Sequence, residues 1–499
     1  MKKFREIILE RKFKYILLFN IILSLQFVLG NKLQNKNILF GDNIILDYIY
    51  IIVLAVLFTT IVYLFQDIKN RISNKRKCKA DNQLYIEEKF FKEKHLFIYS
   101  FTLIIVCWIP AFITFFPGML NYDGPDQLLL FLQDIVLTNS PIIHTLCLSG
   151  CYLLGINLFN SSILGIMFYV VFQMIVMAYI FSYAINFIYK ITYNKILIIF
   201  SILFIAIFPY NQLFPLMTTK DTLFAGLMLL FIIKLYEWFY IDKVTKKEYV
   251  TFIIITVLML LFRLNAIYAF ILFFIFIFAF FAKKCNKKIM KRILVVSVIS
   301  IFIYYNINIL LIKFTNAKAT GQTFILPFIP QAVARVAKEK NEDLTENEKL
   351  QINLYFTNID RLIDRYNPSI SDYSYRLIDQ DKLKQNQLEF YKFIFKLGIK
   401  YPQVFLESYL DTIRAYWYIQ DTSFMKLHND EAPDVKGCLE IDFVNVPMFT
   451  GLKQYNLLPA MRNFYTDMFC RNEYREIPLL YIIFQPRNIF LFIIRIAFL

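Results

Sequence analysis

The sequence predicts an all-α, polytopic membrane protein, and three observations carry that prediction. Of its 499 residues, 58% are hydrophobic and only 18% are charged, against roughly 45–50% and about 25% in ordinary soluble domains. Apolar runs approaching the roughly 20 residues needed to cross a bilayer recur along the chain. Lys and Arg, finally, sort into alternate loops, as orientation in a membrane requires. The chain holds 54 Phe and 33 Tyr, and its mean hydropathy is +0.51. These values exclude a disordered chain, a coiled coil, a disulfide scaffold and a plain cytosolic enzyme.

The elements follow in order. A basic N-terminus (MKKFREIILERKFK) leads into an apolar run at 15–30. No small-x-small cleavage site follows, so the run reads as a first span and not as a removable signal. Further apolar segments lie at 48–65, 96–116, 163–189, 195–209, 221–240, 250–262, 266–282, 293–312 and 478–499. Segment 143–159 is apolar but short and interrupted by Gly150 and Gly155. Charge decides whether it crosses. If it does not, the inner loops carry 26 Lys/Arg and the short outer loops carry 4, which satisfies the positive-inside rule. If it does, Lys190 and Lys195 face outward and later loops invert. The expected topology is therefore about ten spans with both termini cytoplasmic, and 143–159 a re-entrant or juxtamembrane helix buried in protein.

Four blocks result: two N-terminal spans and a basic cytoplasmic loop (1–95), a transmembrane module (96–313), a mainly helical extracytoplasmic domain (314–477) and a C-terminal span (478–499). The external block has a net charge of −2, so the +16 of the chain resides in the membrane part. That charge is an orientation signal, able to contact anionic inner-leaflet lipid, and it implies no nucleic-acid partner. Within the external block, 331–339 has apolar positions at helical spacing. Thr345 and Glu348 form a capping-box pattern, and 382–420 reads as two amphipathic helices broken near Tyr401-Pro402. The segment 421–458, with scattered Pro and Gly, reads as loops. Seven Cys without a CxxC read mostly as packing residues, and an extracellular setting would allow Cys438 and Cys470 to pair. Three His exclude a His-rich metal site.

Ionisable groups near a membrane are costly and mark functional candidates. In this topology they gather on the outer side. The loop FPGMLNYDGPDQLLLFLQDIVLTNSPIIHT holds Asp123, Asp126, Asp134 and His144 and no Lys or Arg. Lys220 and Asp221 open one span, and Arg263-Leu264-Asn265 turns between two others. Such a set suits transfer from an anionic, lipid-linked donor. An Asp can act as general base, Lys220 and Arg263 can hold phosphate, and carboxylates can hold a divalent cation. Each residue also has a bland role: Asp123 in a turn, Asp126 capping a helix over 127–137, Lys220-Asp221 as a helix-start pair, Arg263 as a headgroup anchor, His144 as a structural hydrogen-bonder. Lys234 and Glu237 read as a snorkelling pair.

These motifs resemble the GT-C superfamily of membrane glycosyltransferases and, more closely, a bacterial family of multi-pass proteins placed near them. The resemblance covers roughly 96–420 and rests on FPGMLNYDGPDQ, TNSPIIHT, TTKDTLFAG and FRLNAIYA. The relatives' Tyr-Asp-Ser-x-x-Gln lands on Tyr122, Asp123 and Gln127, with Gly124 in place of Ser. Of their His-His-Pro and His-Thr only His144 survives, because Asn139 and Ser140 precede Pro141. Their external Gln-Gln-x-x-Arg is approximated by Gln331 and Arg335, with Ala332 in place of the second Gln. The resemblance implies a GT-C-like helical bundle with juxtamembrane helices. It also implies a sugar donor on a polyprenyl phosphate and a cell-envelope glycan, lipid or protein acceptor at the outer face of the plasma membrane. Asp123 is then catalytic base or ligand of a cation such as Mg2+ or Mn2+, with Asp126 beside it. Lys220, Arg263 and His144 hold the donor phosphate. Asp221, Asn265, Gln127, Gln331 and Arg335, with the nearby Tyr366, bind substrate. A polymerase or ligase of lipid-linked glycans shares this chemistry. A flippase would show internal repeats and midplane charges, and neither is seen here. A non-catalytic scaffold on a decayed enzyme fold is the remaining alternative.

Overall fold

The computed structural model describes residues 2–39, 44–80, 93–120, 123–240, 245–281, 287–319, 326–368, 370–418 and 452–468. Among these it is helical throughout, with three isolated β-bridges and no strand. Seven helices are long and apolar enough to cross a membrane, or eight if one bent pair counts as a single span. The chain is thus a polytopic helical protein of the membrane class. The segment 478–499, and most of 421–458, lie outside the described residues.

One compact unit takes in the described residues of Met1–Ile86 and Gln322–Pro433. Helices α1 (Lys2–Lys36) and α2 (Ile44–Ala80) form a hairpin. Asn20 Nδ2 donates to Thr59 Oγ1 across it (3.0 Å), the kind of buried polar contact that joins helices in lipid. The same unit holds α13 (Phe328–Glu339), α14 (Glu346–Tyr355), α15 (Ile359–Asp364), α16 (Ser371–Tyr375), α17 (Gln380–Gln385), α18 (Gln387–Lys400), α19 (Pro402–Thr412) and α20 (Arg414–Trp417). These helices enclose their own apolar core, with Val333, Tyr355, Leu362 and Phe390 near its centre. The capping box at Thr345 and Glu348 forms as the sequence suggested, and Pro402 opens α19 where the break was expected.

The second unit takes in the described residues of Glu87–Gly321 and Asp434–Arg471. It contains α3 (Glu93–Thr114), α4 (Asp123–Leu132), α5 (Ile142–Phe159), α6 (Ser162–Thr192), α7 (Lys195–Ile207), α8 (Pro209–Leu213), α9 (Lys220–Tyr240), α10 (Lys246–Phe262), α11 (Ala266–Phe281), α12 (Lys287–Thr315) and α21 (Pro459–Thr466). Helix α6 is the hub and packs against α3, α5, α7 and α9. The contacts therefore divide the chain differently from its polarity: residues 326–418 pack with the N-terminal hairpin, whereas 452–468 pack on the transmembrane module. Leu452 and Tyr465 are buried in that module's core, and Tyr455 N–H donates to Phe116 O (2.8 Å).

Three local features bear on the expected spans. Helix α5 ends at Asn160 in the left-handed region (φ 51°), and Ser161 caps α6 directly after it. The tight turn folds α5 back along α6, with Gly155 against Gly165: a Cβ on Gly155 would lie 2.2 Å from Gly165 N. Helix α5 is itself one of the seven helices long and apolar enough to cross, so its non-crossing assignment rests on loop charge and on the family resemblance. Conversely, α10 and α11 are short, at 17 and 16 residues, and neither is among the seven. The span at 195–209 is broken: α7 and the segment 209–216 meet at 56°. Pro209 cannot continue the helix, and Gln212 Nε2 takes up the carbonyls of Ala206 (3.0 Å) and Cys107 (3.2 Å). Irregular backbone inside a bundle needs such partners.

Candidate functional site

The site of the second unit is built on one pairing of backbone. Met119 N–H donates to Leu216 O (2.9 Å) and Thr218 N–H donates to Met119 O (3.0 Å). This bridge sets the start of α4 beside the start of α9. Gly118, at φ 141°, makes the turn into the bridge, where a Cβ would meet Val170 Cγ2 at 2.4 Å. Gly124 sits on Thr218, and a Cβ there would lie 2.5 Å from both the carbonyl oxygen and Oγ1 of that residue. A serine at 124 therefore does not fit this spacing, which is the physical sense of the glycine.

At the bridge's end the side chains form two ion pairs. Lys220, first residue of α9, pairs with Asp123, first residue of α4. Its neighbour Asp221 pairs with Arg263, the residue that caps the C-terminus of α10. Three separate loops thus supply a row of alternating charge: Asp123, Lys220, Asp221, Arg263. The row is open to the outside, with the Asp123 and Asp221 side chains 54% and 50% exposed. Asn265 lies in the same turn as Arg263 and is exposed.

A cavity of about 320 Å³ adjoins Asp123. Asp126, Gln127, Asn139, Ser140 and Thr145 line it together with apolar residues of α4 and the following loop. That loop is held by Thr138 N–H donating to Lys318 O (3.0 Å) and Lys318 N–H donating to Val136 O (2.8 Å). Asp126 stands in the first turn of α4, which begins at Asp123 and not at 127. Two carboxylates, two amides and two hydroxyls on one cavity suit a polyhydroxylated ligand.

From Gln127, which lines the cavity, a buried chain of hydrogen bonds runs to the segment that precedes α9. Gln173 Nε2 donates to Pro215 O (3.0 Å) and Met217 O (2.7 Å), so its Oε1 accepts from Tyr169 OH (3.0 Å). The phenol proton is then used, and His144 Nε2, at 2.9 Å, donates to the phenol oxygen. His144 Nδ1 lies 2.6 Å from the side-chain amide of Gln127, whose other amide atom is buried without a partner. With the amide turned, its nitrogen donates to His144 Nδ1, and the histidine stays neutral without a buried ion.

Burial separates the remaining candidate residues from the exposed row. His144 is 0% exposed with both nitrogens engaged inside the protein; it positions Gln127 and α6 and does not reach a donor phosphate. Gln331 and Arg335 are also 0% exposed and so do not face a substrate. Gln331 bonds Asn367 O and accepts from Ser374 Oγ (2.9 Å). Arg335 sits among Glu339 (2.8 Å), Asp411 (3.2 Å) and Glu407 (3.4 Å) and also donates to Asn37 O. Burial alone would weaken the charge of Arg335. The Tyr366 hydroxyl and the three carboxylates more than offset it and hold the guanidinium firmly protonated. Tyr366 is itself buried, its hydroxyl pushed up by desolvation. Tyr122 lies outside the described residues. Among the described residues no three His, Cys, Asp or Glu come together to hold a metal. Lys234 and Glu237 are not a simple snorkelling pair: they meet at 2.7 Å and both bond Tyr183 of α6.

Sequence reasoning missed Tyr169, Gln173 and Thr218. Their signal was present: two polar residues four apart on the apolar helix α6 share one face, and intramembrane polar groups face the bundle interior.

Fold and site together define a polytopic helical membrane protein with a charged, cavity-bearing loop cluster at the ends of its helices. The chain belongs to DUF6020, a family of unknown function, whose sequence profile matches residues 129–486. No curated protein and no solved structure matches it.

Proposed function

We propose that the chain is a GT-C-like glycosyltransferase that moves a sugar from a polyprenyl-phosphate donor to a cell-envelope acceptor. It would work at the outer face of the plasma membrane, with both termini cytoplasmic. The observation that carries this reading is the row Asp123, Lys220, Asp221, Arg263 beside a polar cavity. Two cations on a membrane protein's loop cluster suit a lipid phosphate, Arg263 in bidentate fashion. A cavity rich in hydrogen-bonding groups suits a sugar.

The ion pairs give the site a resting state. An arriving phosphate competes with Asp123 for Lys220 and with Asp221 for Arg263. Asp123, released from its cation, accepts the proton of the acceptor hydroxyl. The acceptor oxygen then bonds to the anomeric carbon, the carbon–oxygen bond to phosphate breaks, and polyprenyl phosphate leaves with its charge on Lys220 and Arg263. Attack opposite the leaving phosphate inverts the anomeric centre. Asp123 and Asp126 are the two carboxylates on the cavity, and Mg2+ is commonly held by one or two carboxylates plus a substrate phosphate.

The test uses the full chain in lipid nanodiscs and polyprenyl phosphate without a sugar, read by native mass spectrometry. Lys220→Ala and Arg263→Ala should each weaken binding, about tenfold for the loss of one charge-assisted contact of ~1.5 kcal/mol. Asp123→Asn should bind at least as well as the native chain, because a competitor for Lys220 is gone. Equal binding by both cation variants would remove the phosphate site. Phosphate binding that needs Mg2+ and falls in EDTA would add the cation, and binding unchanged in EDTA would dismiss it.

A further inference from the structure

We infer that α18 is an interfacial helix that lies on the bilayer surface and holds anionic lipid headgroups; this inference is independent of the transferase reading. Helix α18 (Gln387–Lys400) has two apolar faces. One is buried in the core of its unit through Phe390, Ile394 and Leu397. The other is uncovered: Leu388, Phe395 and Ile399 are 68%, 70% and 65% exposed. At 3.6 residues per turn these three fall within about 40° of one another, with Tyr391 at the edge of the stripe.

Charge identifies the occupant. Helix α18 holds three lysines and a single acid, Glu389, and its last lysine, Lys400, is paired with Glu348 (2.8 Å). Lys392 and Lys396 are exposed on the helix beside the stripe, and Glu389 is paired with Lys392 (2.8 Å). Apolar residues on one face with lysines beside them are the pattern of helices that lie in the headgroup region, each lysine adding attraction to anionic lipid.

The position of the unit's own spans agrees. The crossing windows of α1 and α2 are Ile16–Lys36 and Ile44–Val62, so the end of α1 and the start of α2 are where the hairpin leaves the bilayer. The helical block docks on the end of α1. Arg335 donates to Asn37 O, Leu39 N–H donates to Glu407 Oε1 (2.8 Å), and the Tyr418 ring rests on Gly30. Glu407 is on α19, which follows α18 after the single residue Tyr401. The uncovered stripe therefore belongs to a block already seated at the membrane surface.

The experiment places single cysteines at Leu388, Glu389, Phe395, Lys396 and Ile399 in the full chain with its native cysteines replaced. Each carries an environment-sensitive fluorophore, in nanodiscs with or without anionic lipid. Nitroxide-labelled lipid should quench the labels at 388, 395 and 399 strongly and those at 389 and 396 weakly, with aqueous iodide giving the reverse order. Lys392→Glu together with Lys396→Glu should abolish the dependence on anionic lipid. Iodide quenching at all five positions, protection of the stripe from both quenchers, or lipid quenching of equal strength around the helix would each overturn the inference.

Discussion

At the scale of single residues, the charged row carries most of the account. Lys220 and Asp221 are adjacent in sequence yet pair with different loops, Asp123 on one side and Arg263 on the other. Ionisable residues at the ends of apolar runs were legible as candidates, because each is costly there without a partner. Their pairing was not legible, because it depends on the bridge between 119 and 217. Nor were the buried assignments of His144, Gln331 and Arg335. A motif specifies residue types, and exposure is set by packing. Gly124 gives the most local prediction. Its missing Cβ makes room for the Thr218 carbonyl and hydroxyl, so Gly124→Ala forces backbone apart at the site. Overpacking of this kind costs about 1–3 kcal/mol. The variant should melt earlier and lose lipid-phosphate binding together, and an unchanged melt with full binding would contradict the close approach.

At the scale of elements, the helices were the readable part. The capping box at Thr345, the break at Pro402 and the amphipathic helix over 331–339 all appear where composition placed them, since each depends on residues within one turn. Breaks that depend on distant partners were hidden. The bend between α7 and α8 is sustained by Gln212, and the backbone after α8 by Gln173, from positions that look like ordinary interruptions of apolar helices. The Arg335 cluster likewise unites α13, α19 and the end of α1. Breaking such a buried set by removing one partner typically costs about 3–5 kcal/mol. The cap on α14 yields a pH dependence. Burial on its own would raise the Glu348 carboxyl, but the Lys400 ammonium and the Thr345 N–H outweigh it and hold it below its ordinary 4.5. A lowered folded value means that this contribution is complete above 4.5 and is lost as pH falls through the folded value. The melting difference between the native chain and Glu348→Gln should therefore shrink from about pH 6 to about pH 3. A difference that stayed constant would remove the charge from the cap.

At the scale of the whole molecule, hydropathy identified a polytopic protein and left its partition open. A polar block of sequence read as one external domain, whereas packing assigns 326–418 to the N-terminal hairpin's unit and 452–468 to the transmembrane module. Composition cannot see such an exchange, because it depends on contacts between residues far apart in the sequence. Span number is similarly underdetermined by hydropathy. Helix α5 is long and apolar enough to cross while loop charge argues against it, and α10 and α11 are short while loop charge favours them.

The central claim is that Asp123 works on a sugar carried by a lipid phosphate. Its most direct test is lipid mass spectrometry of polyprenyl-phosphate sugars in cells lacking the protein, rescued with the native chain or with Asp123→Asn. The account predicts one sugar-phosphate lipid that builds up in the deletion and in the Asp123→Asn rescue and returns to its normal level with the native chain. No change in any such lipid, or equal rescue by both chains, would contradict it.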